Sequence, residues 1–297
     1  ALGVIINSYA PRFVNVDIGD CIDIGEGAFA YCMLLENVVL NEAITKVADG
    51  LFFYCLSLKE IDFTNITEIG NSAFYYCQSL GELDLSNVDS IGDGAFFRAS
   101  DVNDEAGVRT GITSVTLKEG VTIGSAAFRG IETLETINLG VASSIGAYAF
   151  ANDPALLKAD LTSAVSVGAF AFMDSGITSV VLGDKLETIG DNPFVNCAIG
   201  EFTNEKGETD FAIEKVIDAE NDVRIYPVTV SDGVLYCLAP NGGTVLVSYP
   251  MLKADKVFTV KAGTIRIAAR AFESSAVVSV ELPYEMKAIG DKAFYNC

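Results

Sequence analysis

The residues of this chain that could do chemistry are acids and thiols. Its 297 residues include 40 Asp plus Glu, 19 Lys plus Arg, seven Cys and no His. Without histidine, neither a Ser-His-Asp nor a Cys-His nucleophile can be assembled, and no zinc site can use imidazole. No phosphate-binding loop occurs, and no Gly-x-Gly-x-x-Gly joins a strand to a helix. Glycoside hydrolysis needs only two carboxylates at a suitable separation. With 40 acids, chance pairs are inevitable, so such a pair carries no weight. No catalytic residue is assigned and no cofactor is expected. Asp101, Asn103, Asp104 and Glu105 offer oxygen ligands at close spacing. The run lacks the sixth-position Gly and the distant Glu of an EF-hand loop, so it reads as a solvated acidic loop, with weak calcium binding as the alternative.

The formal charge of −21 repels phosphate backbones and anionic lipid heads, which argues against nucleic acid and membrane surfaces as partners. No run of 18 apolar residues appears, so nothing reads as a membrane-spanning helix. The opening residues lack a basic flank and a cleavage site. The expectation is a fragment or processed form of a longer protein, without the signal and anchor of the parent, and monomeric.

The elements that must position these side chains come from a repeat. The phrase Ile-Gly-x-x-Ala-Phe-x-x-Cys returns with its Phe at Phe29, Phe52, Phe74, Phe96, Phe128, Phe150, Phe172, Phe194, Phe272 and Phe294. The gaps are 23, 22, 22, 32, 22, 22, 22, 78 and 22 residues. A fixed period of this size marks a solenoid, in which each turn buries its apolar side only against its neighbours. After each Phe comes Leu-x-x-Ile-x-Leu, as in Leu58–Phe63, Leu80–Leu85 and Leu134–Leu139. Its last apolar positions alternate with polar ones, the pattern of a half-buried strand. Such strands stack in parallel, and the rest of the repeat supplies the crossover.

A Gly column, which includes Gly25, Gly70, Gly92, Gly124, Gly146, Gly168, Gly190 and Gly290, is broken by Ala48 and Ala268. The Ala exceptions favour close backbone approach over positive φ as its cause. Cys32, Cys55, Cys77, Cys197 and Cys297 share the third position after Phe, and Cys21 shares an Ile column. Buried free Cys acts as a small hydrophobe, and the spacing gives no Cys-x-x-Cys metal site. Packing is therefore expected, with a zinc or disulfide set as the alternative.

The fold expected is one right-handed leucine-rich-repeat solenoid, β-rich α/β, with parallel strands and short helical or irregular crossovers. It would hold about ten repeats of 22 residues. Residues 1–20 would provide a capping strand and 21–199 repeats one to eight. An insertion would fill 200–255, with a hairpin at 234–249, and repeats nine and ten would fill 256–297, the last truncated. Residues 201–222 are weakly patterned and could hide degenerate turns. The first insertion, near Ser100–Arg109, reads as a polar surface loop.

Leu-x-x-Ile-x-Leu followed by Ile-x-x-Ile-Gly-x-x-Ala-Phe-x-x-Cys resembles the BspA-like leucine-rich repeats of bacterial surface proteins, over residues 21–199 and 256–297. Asp232–Tyr236 and Leu246–Pro250 resemble the hairpin-bearing spacer of that family. Arg129-Gly130-Ile131 and Asn152-Asp153-Pro154 depart from the pattern by lacking Cys. The resemblance implies display at the bacterial cell surface, outside the cell, with a host or cell-surface protein or a glycan as partner.

Two surfaces are candidate binding faces. The strand face presents Glu60, Asp62, Glu82 and Asp84, then Ser114, Thr116, Thr136 and Asn138. Stacked carboxylates repel, which hints at a basic partner or a cation. The second surface is a ladder of Tyr31, Tyr54 and Tyr76, two residues after successive Phe, whose polar tips suit protein or sugar contact. The expected function is non-catalytic protein or glycan binding, as an adhesion module. A passive spacer and, remotely, a carbohydrate-active enzyme are the alternatives.

Overall fold

A computed structural model describes residues 13–98, 111–218 and 223–297 of the chain. Asp101, Asn103, Asp104 and Glu105 lie outside these. The chain divides into two compact units, 1–156 and 157–297. Both are parallel-strand solenoid, and the helical content of the described residues is one 3-10 turn at Leu139–Val141. The crossovers are therefore irregular rather than helical, because Gly and left-handed positions interrupt each one.

In the first unit the Leu-x-x-Ile-x-Leu segments form a first strand row. Asn15–Asp17 pairs with Asn37–Val39, and that with Glu60–Ile61, all in parallel register. Leu83–Leu85 pairs with Ser114–Leu117, and that with Thr136–Ile137. Glu60–Ile61 and Leu83–Leu85 belong to different three-stranded sheets, so the row is broken between them. Side chains hold the two turns together around the break. Ser79 Oγ donates to the Leu56 carbonyl at 2.7 Å and Asn87 Nδ2 to the Thr64 carbonyl at 2.9 Å.

A second row holds Lys46–Val47, Glu68–Ile69, Ser90–Ile91, Thr122–Ile123 and Ser144–Ile145, each paired with the next. These strands have two residues, one outward and polar, one inward and buried, because the Gly column, filled by Ala48 after the first of them, follows at once. The Phe turn makes a third ladder. Phe29, Phe52, Phe74, Phe96 and Phe128 each donate their N–H to a carbonyl of the next turn at 2.7–3.0 Å. Their rings, with Phe150, stack nearly parallel at 5.1–5.6 Å. All six are buried, each side chain contributing roughly 1.5–3 kcal/mol.

The Gly column reflects close approach. A Cβ on Gly92 would stand 2.6 Å from the backbone of Gly70 and Asn71, and one on Gly124 2.6 Å from Gly92. Each such Cβ would point at the preceding turn. At Gly25, which has no described column residue before it, a Cβ would meet nothing within 4 Å. In this unit positive φ falls instead two residues before each column Phe and, except after Phe96, two after. The earlier slot holds Gly27, Gly50, Ser72, Gly94, Ala126 and Tyr148, and the later one Tyr31, Tyr54, Tyr76, Gly130 and Asn152.

The thiol of Cys55 donates to the Phe29 carbonyl and that of Cys77 to the Phe52 carbonyl, both at 3.1 Å. Cys32, Cys55, Cys77 and Cys197 are buried packing residues, whereas Cys21 and Cys297 are exposed. The last two correct the expectation that they are interior, since each has a neighbouring described turn on one side only. Asp153 takes the Cys slot after Phe150. It is fully buried, its Oδ1 accepts the Ile131 N–H at 2.7 Å and its Oδ2 has no partner.

In the second unit Lys158–Leu161, Ser179–Leu182 and Phe202–Asn204 form the first row. The chain then leaves through Phe211–Asp218, Val223–Ser231, Val234–Leu238 and Thr244–Ser248, antiparallel in succession. Thr244–Ser248 pairs in parallel with Thr264–Ile267, and that with Ala288–Ile289. The 78-residue gap thus hides one turn, and its Phe slot is Tyr249. Tyr249 donates its N–H to the Ala271 carbonyl at 2.9 Å and stacks 4.8 Å from Phe272. Val257–Thr259 follows it as a first-row strand paired with Ser279–Glu281. The hidden turn lies beyond the charged stretch 201–222, and the Ala268 N–H of the next turn donates to its Leu246 carbonyl at 2.8 Å.

Side chains stitch across the excursion. Arg266 forks onto both oxygens of Asp191 at 2.5 and 3.2 Å. Asn192 Nδ2 donates to the Arg270 carbonyl at 2.7 Å, and Ser274 Oγ to Asn196 Oδ1 at 3.1 Å.

Candidate binding surfaces

On the strand face, Glu60, Asp62, Glu82, Asp84, Thr116, Thr136 and Asn138 are exposed and Ser114 is half-buried. The pairing aligns Ser114 with Thr136 and Asp84 with Thr116. The four carboxylates do not share one sheet: Glu60 and Asp62 flank one side of the break in the row, Glu82 and Asp84 the other.

Two of these acids are engaged locally. Asp62 Oδ1 accepts from the Thr64 hydroxyl at 2.6 Å and the Thr64 N–H at 2.8 Å. Asp84 Oδ1 accepts the Ser86 N–H at 3.0 Å. Hydrogen bonds from the Thr64 and Ser86 side chains, then from their backbones, hold both carboxyls below the usual range. The Asp-x-Ser/Thr pattern is thus a turn that closes the strand, the local competition for backbone donors that Asp favours. Asp160 repeats it with Thr162. Asn138 is engaged too, accepting from the Leu117 N–H at 2.7 Å and donating to the Leu117 carbonyl at 3.2 Å. Glu60, Glu82, Ser114, Thr116 and Thr136 remain as outward groups.

The tyrosine ladder is built on strained backbone. Tyr31, Tyr54 and Tyr76 have φ of 61°, 59° and 61°. The turn imposes this. The following Cys N–H closes back on the Phe carbonyl, while the Tyr N–H reaches the next turn, as from Tyr54 to the Tyr75 carbonyl at 2.8 Å. A bulky residue in this region costs about 1–2 kcal/mol, and other turns place Gly130, Asn152, Asp174, Asn196 and Ser274 there. The rings stack 5.5 Å apart from Tyr31 to Tyr54 and 4.7 Å from Tyr54 to Tyr76. Exposure falls along the ladder, from 49% at Tyr31 to 9% at Tyr76.

A second aromatic column lies beside it, one residue after each Phe. Phe53 stacks on Tyr75 and Tyr75 on Phe97, each at 4.8 Å. The Arg129 guanidinium continues the column, 5.7 Å from the Phe97 centroid and 5.4 Å from that of Tyr148. Burial pushes the Tyr75 hydroxyl up from its ordinary value. The three rings of this column and Tyr148 are half-buried. Sequence reading missed it, although Phe53-Tyr54, Tyr75-Tyr76 and Phe96-Phe97 are adjacent aromatic pairs. Seven rings and a guanidinium therefore form one block in the first unit. Most ring faces are turned toward neighbouring rings, while Tyr31, at the end of its ladder, stacks on Tyr54 on one side only.

Stacked parallel strands, a buried Phe column and side-chain hydrogen bonds to carbonyls of adjoining turns define a leucine-rich-repeat solenoid. The chain belongs to the BspA type leucine rich repeat family, whose model matches it in six copies over residues 9–104, 100–212 and 255–297. Its fold is similar to that of a leucine rich cell surface protein from Faecalibacterium prausnitzii, at 24% identity and a TM-score of 0.63, covering 97% of this chain and 68% of that one. It is also similar to a leucine-rich repeat protein from Bacteroides ovatus, at 21% identity and a TM-score of 0.55, covering 96% of this chain and 73% of that one. No curated protein matches the chain.

Proposed function

We propose that this chain is a non-catalytic, surface-displayed protein-binding module of the adhesion type, and that the aromatic block of the first unit is its contact surface. The observation that carries this reading is the strained ladder. Three successive turns place Tyr where Asn, Asp, Ser or Gly serves in others, at a backbone cost the fold does not require. Strain of this kind concentrates at binding and catalytic sites, and Tyr is enriched where proteins meet. Sugar recognition by aromatic residues needs open ring faces. Here neighbouring rings cover all but the outer face of Tyr31, which favours a protein partner over a glycan. The strand face supports the reading less, since Asp62, Asp84 and Asn138 serve their own turns.

The test is a binding screen of the full chain against extracellular-matrix proteins and a glycan array. It is run beside the Tyr31→Asn/Tyr54→Asn variant, which suits the left-handed slot. Saturable protein binding lost in that variant is expected. Binding to glycans alone, or no binding by the folded chain, contradicts the proposal.

A further inference from the structure

A separate recognition site is suggested in the second unit, independent of the aromatic block. A cleft of about 410 Å³ lies between the end of strand Ser179–Leu182, the loop after Phe202–Asn204 and the strand Phe211–Asp218. This volume is within the range of sites that take a small group. Its apolar lining is Leu182 and Ile213, both buried, half-buried Phe211 and exposed Ala212. Exposed acids, Asp184, Glu205, Glu208 and Glu214, line it as well, against one cation, Lys206.

Two of the acids are engaged. Glu208 accepts from Asn204 Nδ2 at 2.6 Å, and Glu214 pairs with Arg224. Asp184 and Glu205 have no partner among the described residues. A long cationic side chain has the complementary form, with an aliphatic stem for the apolar lining and a charged head for the free carboxylates. The guanidinium is the better fit, because its planar fork of donors matches carboxylate geometry where an ammonium is only a point charge. We infer that this cleft receives an arginine side chain borne on a protein partner.

The probe is a capped Thr-Arg-Thr-Arg-Thr peptide, titrated calorimetrically into the full chain at physiological salt. The same peptide with citrulline, which keeps the shape without the charge, is the control. The citrulline peptide and the Asp184→Asn/Glu205→Gln variant should each bind at least about tenfold more weakly. Ala212→Trp, which fills the cleft and leaves every charge in place, should also abolish binding. Equal affinity of the two peptides, or unchanged affinity in either variant, overturns the inference. So does the absence of measurable binding. Tyr54→Asn leaves this titration unchanged, so failure here is distinguishable from failure of the aromatic surface.

Discussion

The rings of Tyr54 and Tyr76 lie 4.7 Å apart and within 10° of parallel, although both residues sit in left-handed backbone. A stacked aromatic pair contributes about 0.5–1.5 kcal/mol beyond burial, comparable to the backbone cost. Stacking can thus hold the ladder without being the reason for it. Tyr54→Asn should therefore change stability by no more than about 2 kcal/mol, since strain relief offsets lost stacking. Chemical denaturation checks this, and a larger loss would make the ladder a folding element.

The Phe column should respond differently. Phe74 is buried between Phe52 and Phe96, at 5.3 and 5.1 Å. Phe74→Ala leaves a cavity that neither neighbour can fill, at a cost of about 3–5 kcal/mol. Equilibrium denaturation would measure it.

Gly124→Ala forces a Cβ to within 2.6 Å of the Gly92 backbone. The two turns must part, and overpacking of this kind costs about 1–3 kcal/mol. Gly94→Asn is the control. Its φ is 60°, and a Cβ there meets nothing closer than 3.6 Å, so a change within about 0.5 kcal/mol is expected. Thermal melts of the two variants should separate them.

Asp153 gives a pH prediction. Burial pushes its carboxyl well above the ordinary value of 3.8, against backbone hydrogen bonds from Ile131 and Gly130 that favour ionisation. Below about pH 4 both folded and unfolded chains hold this proton. As pH rises, the unfolded chain ionises first and gains stability, so Asp153's contribution to native stability falls until its native carboxyl also titrates. Asp153→Asn mimics the protonated form. It should be more stable than the parent by about 1–3 kcal/mol near neutral pH and nearly equal to it at the acid end. Paired melts across pH read this difference, and a constant offset would contradict it.

Among the described residues, Tyr249 carries the other unpartnered buried polar atom, its hydroxyl. Tyr249→Phe restores the column residue and should stabilise the chain by about 1 kcal/mol, read as a raised denaturation midpoint.

The periodic parts of the molecule were legible because each asks for one residue type: Phe for the interior, Gly for close approach, Ile or Leu for strands. The left-handed slots were not legible, since Gly, Ser, Ala, Tyr, Asn and Asp all fill them and no single type repeats. Tyr249 escaped because no Ile-Gly-x-x-Ala precedes it. Tyr31, Tyr54 and Tyr76 could be read from their shared offset, but the column of Phe53, Tyr75 and Phe97 was masked by the larger Phe signal beside it. Asp62 and Asp84 looked like a repelling stack because the alternation of a strand shows direction and not partners. Their own Thr64 and Ser86, two residues on, engage them.

The most direct test compares two surfaces against the partner the screen returns. Affinity is measured for Tyr31→Asn/Tyr54→Asn and for Glu60→Lys/Glu82→Lys. Loss of about tenfold or more in the first, with less than about threefold in the second, is the result predicted. The reverse order would place recognition on the strand face and contradict the account.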